Sequence, residues 1–88
     1  MAEDTLAWRA IKPGHRVLDR DGVELGTVHR VLADYGADIF HGVSVKRGLL
    51  STEREITADR IGQITTDAVH TSVVGHDGGD ALPRAPGA

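Results

Sequence analysis

The sequence contains no cysteine, which excludes disulfide bonds, thiol catalysis and zinc sites built from cysteine. Aromatic residues make up only 3% of the chain, whereas hydrophobic residues make up 40%. The core must therefore be built from valine, isoleucine and leucine, and the β-branched members of this set favour strands. No apolar run approaches the roughly 20 residues that a membrane-spanning helix requires.

An excess of positive charge is also lacking, because the formal net charge is -3. Nucleic-acid-binding proteins usually carry a basic patch that displaces counterions from phosphates. Association with RNA or the ribosome is therefore an alternative function that the charge disfavours, and it would use the scattered cations Arg16, Arg30, Lys46 and Arg47. Residues 1–4 are acidic where a signal peptide would be basic, which favours a cytoplasmic protein.

The chain is short enough to form one domain only. Residues 1–12 are predicted to form a lead-in with a short helical turn, capped by Asp4 or Thr5. Residues 13–75 are predicted to form the folded domain. In residues 76–88, glycine, proline, alanine and aspartate dominate, which predicts a disordered tail.

The clearest local signal is a hairpin turn at Asp19–Gly22. The preceding segment, His15–Asp19, has the composition of a strand. Asp-Gly supplies residues that tolerate positive φ, and the Asp19 side chain can accept hydrogen bonds from the amides of the turn itself.

The segment after this turn places Leu25, Val28 and Val31 three positions apart, which strict alternation cannot bring to one face of a strand. Either a β-bulge near Gly26 or His29 resets the pleat, or the segment is a helix. The β-branched content and the glycine favour the bulged strand.

A strand over Ile39–Arg47 alternates clearly and places Ile39, His41, Val43 and Val45 on one face, which predicts a partly buried His41. Further short strands are predicted at residues 53–56, 61–65 and 68–74. The fold class predicted from this pattern is all-β, with five to six short, strongly bent antiparallel strands in a small closed or partly open barrel.

Three segments in order resemble PRC-barrel domains. Val17–Asp34, with its Asp-x-Asp-Gly turn and its Leu-Gly-x-Val step, is similar to the opening of such domains. Arg54–Ile61 resembles a recurrent step of the family, although Thr57 stands where proline is frequent. Ile64–Val69 resembles the closing hairpin, so the resemblance covers roughly residues 12–75.

This resemblance implies a compact six-stranded barrel whose shared role is contact with other proteins. It implies no catalytic residues, because the family shares none. We therefore expect a non-enzymatic interaction module without a cofactor, acting as a homodimer or as an adaptor. Trp8, the only tryptophan, is expected to pack over an end of the barrel, and the candidate partner contacts are Trp8, Arg54 and Arg60.

The histidines are the residues that most suggest chemistry, and none of them shows a tight metal-binding spacing. Two interpretations remain: structural histidines, or a divalent-metal site formed by His29, His41 and His70 across strands. Asp19, Asp21 and Glu24 superficially resemble the start of a calcium loop, but the glycine falls too early, no bidentate glutamate closes the loop and no flanking helices are apparent. These carboxylates are better explained as turn formers.

Overall fold

The computed structural model describes residues 7–48 and 52–74. Strands dominate this part of the chain, and its helical elements are two short 3₁₀ turns, Trp8–Ala10 and Ala58–Arg60. The predicted all-β class is therefore confirmed. The six strands are β1 (Arg16–Leu18), β2 (Glu24–Asp34), β3 (Ile39–Lys46), β4 (Arg54–Thr57), β5 (Ile61–Ile64) and β6 (Ala68–Thr71).

The strands form one mixed sheet in the order β4-β3-β2-β1-β6-β5. β1 and β6 run parallel, with Val17 opposite Val69, whereas the other neighbouring strands are antiparallel. The prediction of a wholly antiparallel arrangement is thus wrong at this pair. A hairpin turn makes two strands antiparallel, and no hairpin turn links strands so distant in sequence, so a parallel pair is possible here. Val17 and Val69 are both fully buried in this pair. β2, with eleven residues, is also longer than the short strands predicted.

The sheet is curled but not closed into a barrel. β4 and β5 are its two edges, and six strands laid flat would put these edges about 24 Å apart. Yet only the turn Ala58–Arg60 separates Thr57 from Ile61, and four Cα–Cα steps reach at most about 15 Å. The sheet must therefore bend towards itself, although β4 and β5 are not hydrogen-bonded neighbours in it.

The predicted turn at Asp19–Gly22 is confirmed. Asp19 is 2% exposed, and its Oδ1 accepts hydrogen bonds from the amides of Asp21 and Val23, both at 2.9 Å. The Gly22 amide donates to the carbonyl of Asp19 at 3.0 Å, and Gly22 has a φ of 84°. The turn is therefore held by its own first side chain.

The bulged-strand interpretation of residues 23–34 is confirmed, and the helix is excluded. The register between β1 and β2 shifts where Val17 faces Gly26 and Leu18 faces Glu24. The register between β2 and β3 shifts again at His29. These irregularities bend β2 and allow apolar residues three positions apart to contact the core.

The prediction that His41 is partly buried is wrong, because a further bulge occurs at this residue. Leu32 faces Gly42 whereas Ala33 faces Phe40, so His41 is the extra residue and its side chain is exposed. Gly42 allows the backbone to continue because its φ is 139° and a Cβ there would lie 2.1 Å from the Ile56 carbonyl oxygen. Alternation on the apolar face resumes after it.

The core is aliphatic. Its buried members are Ile11, Val17, Val28, Val43, Val45, Ile56, Ile64, Val69 and Val73, and Trp8, Leu25, Val31, Phe40 and Ile61 pack against them while staying partly exposed. No helix in the described ranges is long and apolar enough to cross a bilayer.

The N-terminal turn Trp8–Ala10 is preceded by Ala7, which makes no side-chain capping bond. The predicted capping residues, Asp4 and Thr5, lie outside the described residues, as does the predicted disordered tail, 76–88.

Candidate functional site

The single tryptophan, tyrosine and phenylalanine of the chain lie together. The ring of Trp8 stacks on that of Phe40, with centroids 5.3 Å apart and planes at 7°. The ring of Tyr35 lies 5.2 Å from that of Trp8 at an angle of 50°. Phe40 packs against the core, whereas Tyr35 is 50% exposed, so the cluster runs from the core to the surface.

The loop between β2 and β3 positions the outer part of this cluster. Oδ1 of Asp34 accepts a hydrogen bond from the Ala37 amide at 3.1 Å, and the Asp38 amide donates to the Tyr35 carbonyl at 3.3 Å. Asp38 takes a positive φ of 57°, which aspartate tolerates better than most residues. These local bonds close the loop and leave Tyr35 at its outer side.

Arg9 joins the N-terminal turn to this loop. Its guanidinium carbon lies 4.9 Å from the ring centroid of Trp8 and 5.4 Å from that of Tyr35. Its Nε donates to Oδ1 of Asp38 at 3.1 Å, and its Nη2 donates to the Tyr35 carbonyl at 2.9 Å. One cation therefore contacts two rings, a carboxylate and a carbonyl, and cation–π contacts of this kind add to the ion pair.

We call Trp8, Arg9, Tyr35 and Asp38 the hairpin-end surface. The side chains of Arg9 and Asp38 are 48% and 69% exposed, respectively. Ile39, which follows directly in the chain, is 48% exposed. Sequence reasoning identified Trp8 but missed Arg9 and Tyr35, because residues twenty-six positions apart carry no local signal that they meet.

Apart from the aromatic cluster, a polar cluster surrounds Glu53 on the side of the sheet opposite the core. Nε of Arg30 donates to Oε2 of Glu53 at 2.7 Å, and the Arg30 amide donates to Oγ of Ser44 at 2.9 Å. Ser44 is fully buried and the Glu53 side chain is only 10% exposed. Hydrogen bonds from the Arg30 and Ser44 side chains lower the pKa of Glu53, against the opposing effect of burial. The Glu53 carboxylate thus links β2 and β3, through Arg30 and Ser44, to the residue that precedes β4.

The four cations proposed for RNA contact do not form an unopposed basic patch. Arg16 and Lys46 each lie opposite Thr27 in the register of the sheet. However, Nε of Arg16 lies 2.9 Å from Glu24, and Arg30 is paired with Glu53. Arg47 follows the end of β3 and is exposed. Nearby carboxylates therefore reduce the positive potential of two of these residues.

The two arginines suggested as partner contacts are not members of the hairpin-end surface. Arg54 begins β4 at one sheet edge and is exposed. Arg60 ends the second 3₁₀ turn and lines an open concavity of about 260 Å³, which His70 also lines. The Arg60 carbonyl accepts a hydrogen bond from the Ser72 amide at 2.9 Å, which joins the turn to the end of β6.

The structure does not bring the three candidate metal ligands together. His29 is at the bulge of β2, His41 is at the bulge of β3 further along the hairpin, and His70 is on β6 beyond β1. Within residues 7–48 and 52–74, no group of three histidine, cysteine, aspartate or glutamate side chains is arranged to hold a metal ion.

No known protein family model matches this chain. No curated protein matches it either.

Proposed function

We propose that this chain is a non-catalytic, PRC-barrel-like protein-interaction module that self-associates through the hairpin-end surface. The observation that carries the proposal is the position of its aromatic residues. Every fully buried hydrophobic core residue is aliphatic in the part of the chain described. Trp8, in contrast, is partly exposed, Tyr35 is 50% exposed, and the guanidinium of Arg9 lies beside both rings. Tryptophan, tyrosine and arginine are the residue types that contribute most binding energy at interface centres.

The rigidity of this surface supports the same proposal. Arg9 is held by Asp38 and by the Tyr35 carbonyl, and Trp8 is held by Phe40. Side chains that are already ordered lose little conformational entropy on binding, so more of the contact energy appears as affinity. A small domain also gains stability when it buries apolar surface against a second copy.

The curl of the sheet supports the barrel-like part of the proposal. A partly open barrel is the finer description that we propose for the sheet, with β4 and β5 facing each other across the gap. The short connection between Thr57 and Ile61 is the observation behind it. In such a barrel the hairpin-end surface would lie at the end where the β2–β3 loop is, and a partner could reach it there.

The contacts of Glu53, the carboxyl whose pKa is lowered, support a structural role for this residue. Glu53 already accepts hydrogen bonds from Arg30 and Ser44, and Ser44 has no exposed surface. A general base must instead reach the proton that it abstracts from a substrate. This arrangement favours a module that binds over one that catalyses.

Light scattering coupled to size-exclusion chromatography over a range of protein concentrations tests the proposal. We expect a dimer for the unmodified chain and a monomer for Tyr35→Ser. Val23→Ser is the matched control, because Val23 is 40% exposed near the opposite end of β2 and lies outside the surface. An unmodified chain that stays monomeric at the highest attainable concentration contradicts self-association, and equal dissociation constants for the two variants contradict the assigned surface.

A further inference from the structure

We propose that the hairpin-end surface binds residues 82–86 of a second copy of this chain. This inference rests on the proposed self-association and adds its molecular basis. The segment reads Leu82-Pro83-Arg84-Ala85-Pro86, and Leu82 is the one large apolar residue after Val74. It thus combines an apolar anchor, two prolines and one cation.

The spacing of the prolines suits an aromatic surface. Proline restricts φ and favours the polyproline II conformation, in which the helix has three residues per turn. Pro83 and Pro86 are three positions apart, so in that conformation both rings lie along one edge. Proteins that recognise this pattern use aromatic side chains, and the restricted segment loses little entropy on binding.

The geometry of the surface fits this ligand chemistry. The rings of Trp8 and Tyr35 lie 5.2 Å apart at an angle of 50°, and the guanidinium of Arg9 lies over both of them. Trp8 is fixed from below by the stacked ring of Phe40. The exposed half of Tyr35 is then available for a proline ring or for Leu82.

The charges are complementary. Asp34 and Asp38 lie at the β2–β3 loop, and Arg9 is the cation that contacts it, so the surface has an excess of negative charge. The segment has one cation, Arg84, and no acidic residue. Nε and Nη2 of Arg9 lie 3.1 and 3.0 Å from the same Asp38 oxygen, Oδ1. Arg84 would therefore approach the other oxygen, Oδ2. A carboxylate can accept about four hydrogen bonds and so accommodates a second guanidinium.

The proposed self-association requires the segment to come from a second copy, and the reach of the chain permits it. The Val73 carbonyl accepts a hydrogen bond from the Arg20 amide, so the end of the described chain lies beside the β1–β2 turn. Tyr35 follows the far end of β2, whose eleven residues correspond to about 33 Å when straight. Eight steps from Val74 to Leu82 span at most about 29 Å. Because β2 is bent by its bulges, about 33 Å is an upper limit, so mixing of variants must separate a second copy from the same molecule.

The full chain carrying Pro83→Ala and Pro86→Ala together tests this inference. Gly78→Ala with Gly79→Ala is the matched control, because it makes two substitutions in the same region outside the motif. We expect the proline variant to dimerise roughly tenfold or more weakly than the unmodified chain and the control. Light scattering measures the dimer, and emission of the single tryptophan, Trp8, reports on its surface during dilution.

Mixing two variants distinguishes the second copy from the same molecule. Tyr35→Ser has a defective surface and an intact segment, and the proline variant has the reverse. If contacts form between copies, an equimolar mixture forms a mixed dimer, because the intact segment of Tyr35→Ser binds the intact surface of the proline variant. If the segment binds its own molecule, mixing restores nothing, and the proline substitutions change Trp8 emission without changing the mass.

The outcomes separate this inference from the proposed function. Loss of dimer in the proline variant with recovery on mixing supports the inference. An unmodified dimer that the proline substitutions leave unchanged overturns the inference while self-association stands. A change in Trp8 emission at constant mass overturns the assignment to a second copy. An unmodified chain that is monomeric at every concentration overturns both proposals.

Discussion

Nε of Arg30, in the middle of β2, donates a 2.7 Å hydrogen bond to Oε2 of Glu53, which precedes β4. β3 lies between these two strands and contributes the buried hydroxyl of Ser44 to the same cluster. Arg30, Ser44 and Glu53 therefore connect β2, β3 and the start of β4 on the side of the sheet opposite the aliphatic core. The Glu53 side chain is 10% exposed and that of Arg30 is 42% exposed, so water reaches this pair mainly from the arginine side.

We predict that Glu53→Gln lowers the free energy of unfolding by about 1–3 kcal/mol, because it removes the negative charge and one of the two acceptor oxygens that Arg30 and Ser44 contact. Glu24→Gln is the control, since Glu24 pairs with Arg16 with about half of each side chain exposed. Exposed pairs contribute only about 0–1 kcal/mol. Urea denaturation of the two variants measures the difference, and equal losses would contradict the structural role of Glu53.

The pH dependence of stability follows from the same carboxyl. The pKa of Glu53 in the folded chain lies below its ordinary value of 4.5, mainly because of the Arg30 side chain and next because of Ser44. In the window between these two pKa values the unfolded chain binds the proton and the folded chain does not, so stability falls with falling pH. The contribution is complete above about pH 4.5 and disappears as the pH falls through the folded-state pKa.

The expected result is therefore a difference in unfolding free energy between the unmodified chain and Glu53→Gln that is constant near neutral pH and narrows below about pH 4.5. Denaturation at a series of pH values measures it. A difference that widens on acidification would mean that the sign of the pKa shift is wrong.

Gly42→Ala should destabilise the chain by about 3 kcal/mol or more, because the new Cβ clashes with the backbone and takes an unfavourable φ. That Cβ would lie 2.1 Å from the Ile56 carbonyl oxygen, where β3 and β4 pair. Gly62→Ala is the control, since its nearest neighbour is the His70 carbonyl oxygen at 3.5 Å, and we expect a change within about 1 kcal/mol. Thermal unfolding by circular dichroism compares them, and similar midpoints would refute the close approach.

Asp19→Ala should lower the free energy of unfolding by about 1–3 kcal/mol, because two amides of the turn lose the buried carboxylate that accepts their hydrogen bonds. Asp19→Asn keeps one side-chain oxygen and should cost less. Chemical denaturation ranks the variants, with the order unmodified, Asn, Ala expected. If Asn is as unstable as Ala, the charge of Asp19 matters to the turn more than its hydrogen-bond geometry.

Short-range patterns predicted the local features correctly. The Asp19–Gly22 turn was predictable because its bonds join residues at most four positions apart. The bulge at His29 was predictable because apolar residues three apart conflict with strand alternation. The same rule failed at His41, where the alternating pattern was regular and the bulge that exposes the residue depends on the close approach of Ile56 from β4.

The candidate site was less predictable. Trp8 was identified because a single tryptophan in a chain poor in aromatics is conspicuous, but its partners were not. Arg9 contacts Tyr35 and Asp38 only because the first 3₁₀ turn packs against the β2–β3 loop. Such contacts depend on how whole elements dock, and a window of neighbouring residues holds no information about docking.

By itself, then, the sequence determined an all-β fold with an aliphatic core, the Asp19 turn, and a bulged second strand. Each follows from side-chain branching, local hydrogen bonding or the two-residue repeat of a strand. The tertiary structure decided the parallel pairing of β1 with β6, the contact between Arg30 and Glu53, and the gathering of Trp8, Arg9 and Tyr35. The physical reason is that these relations join residues far apart in the chain, where the burial of the shared core selects one packing among many that local preferences allow equally.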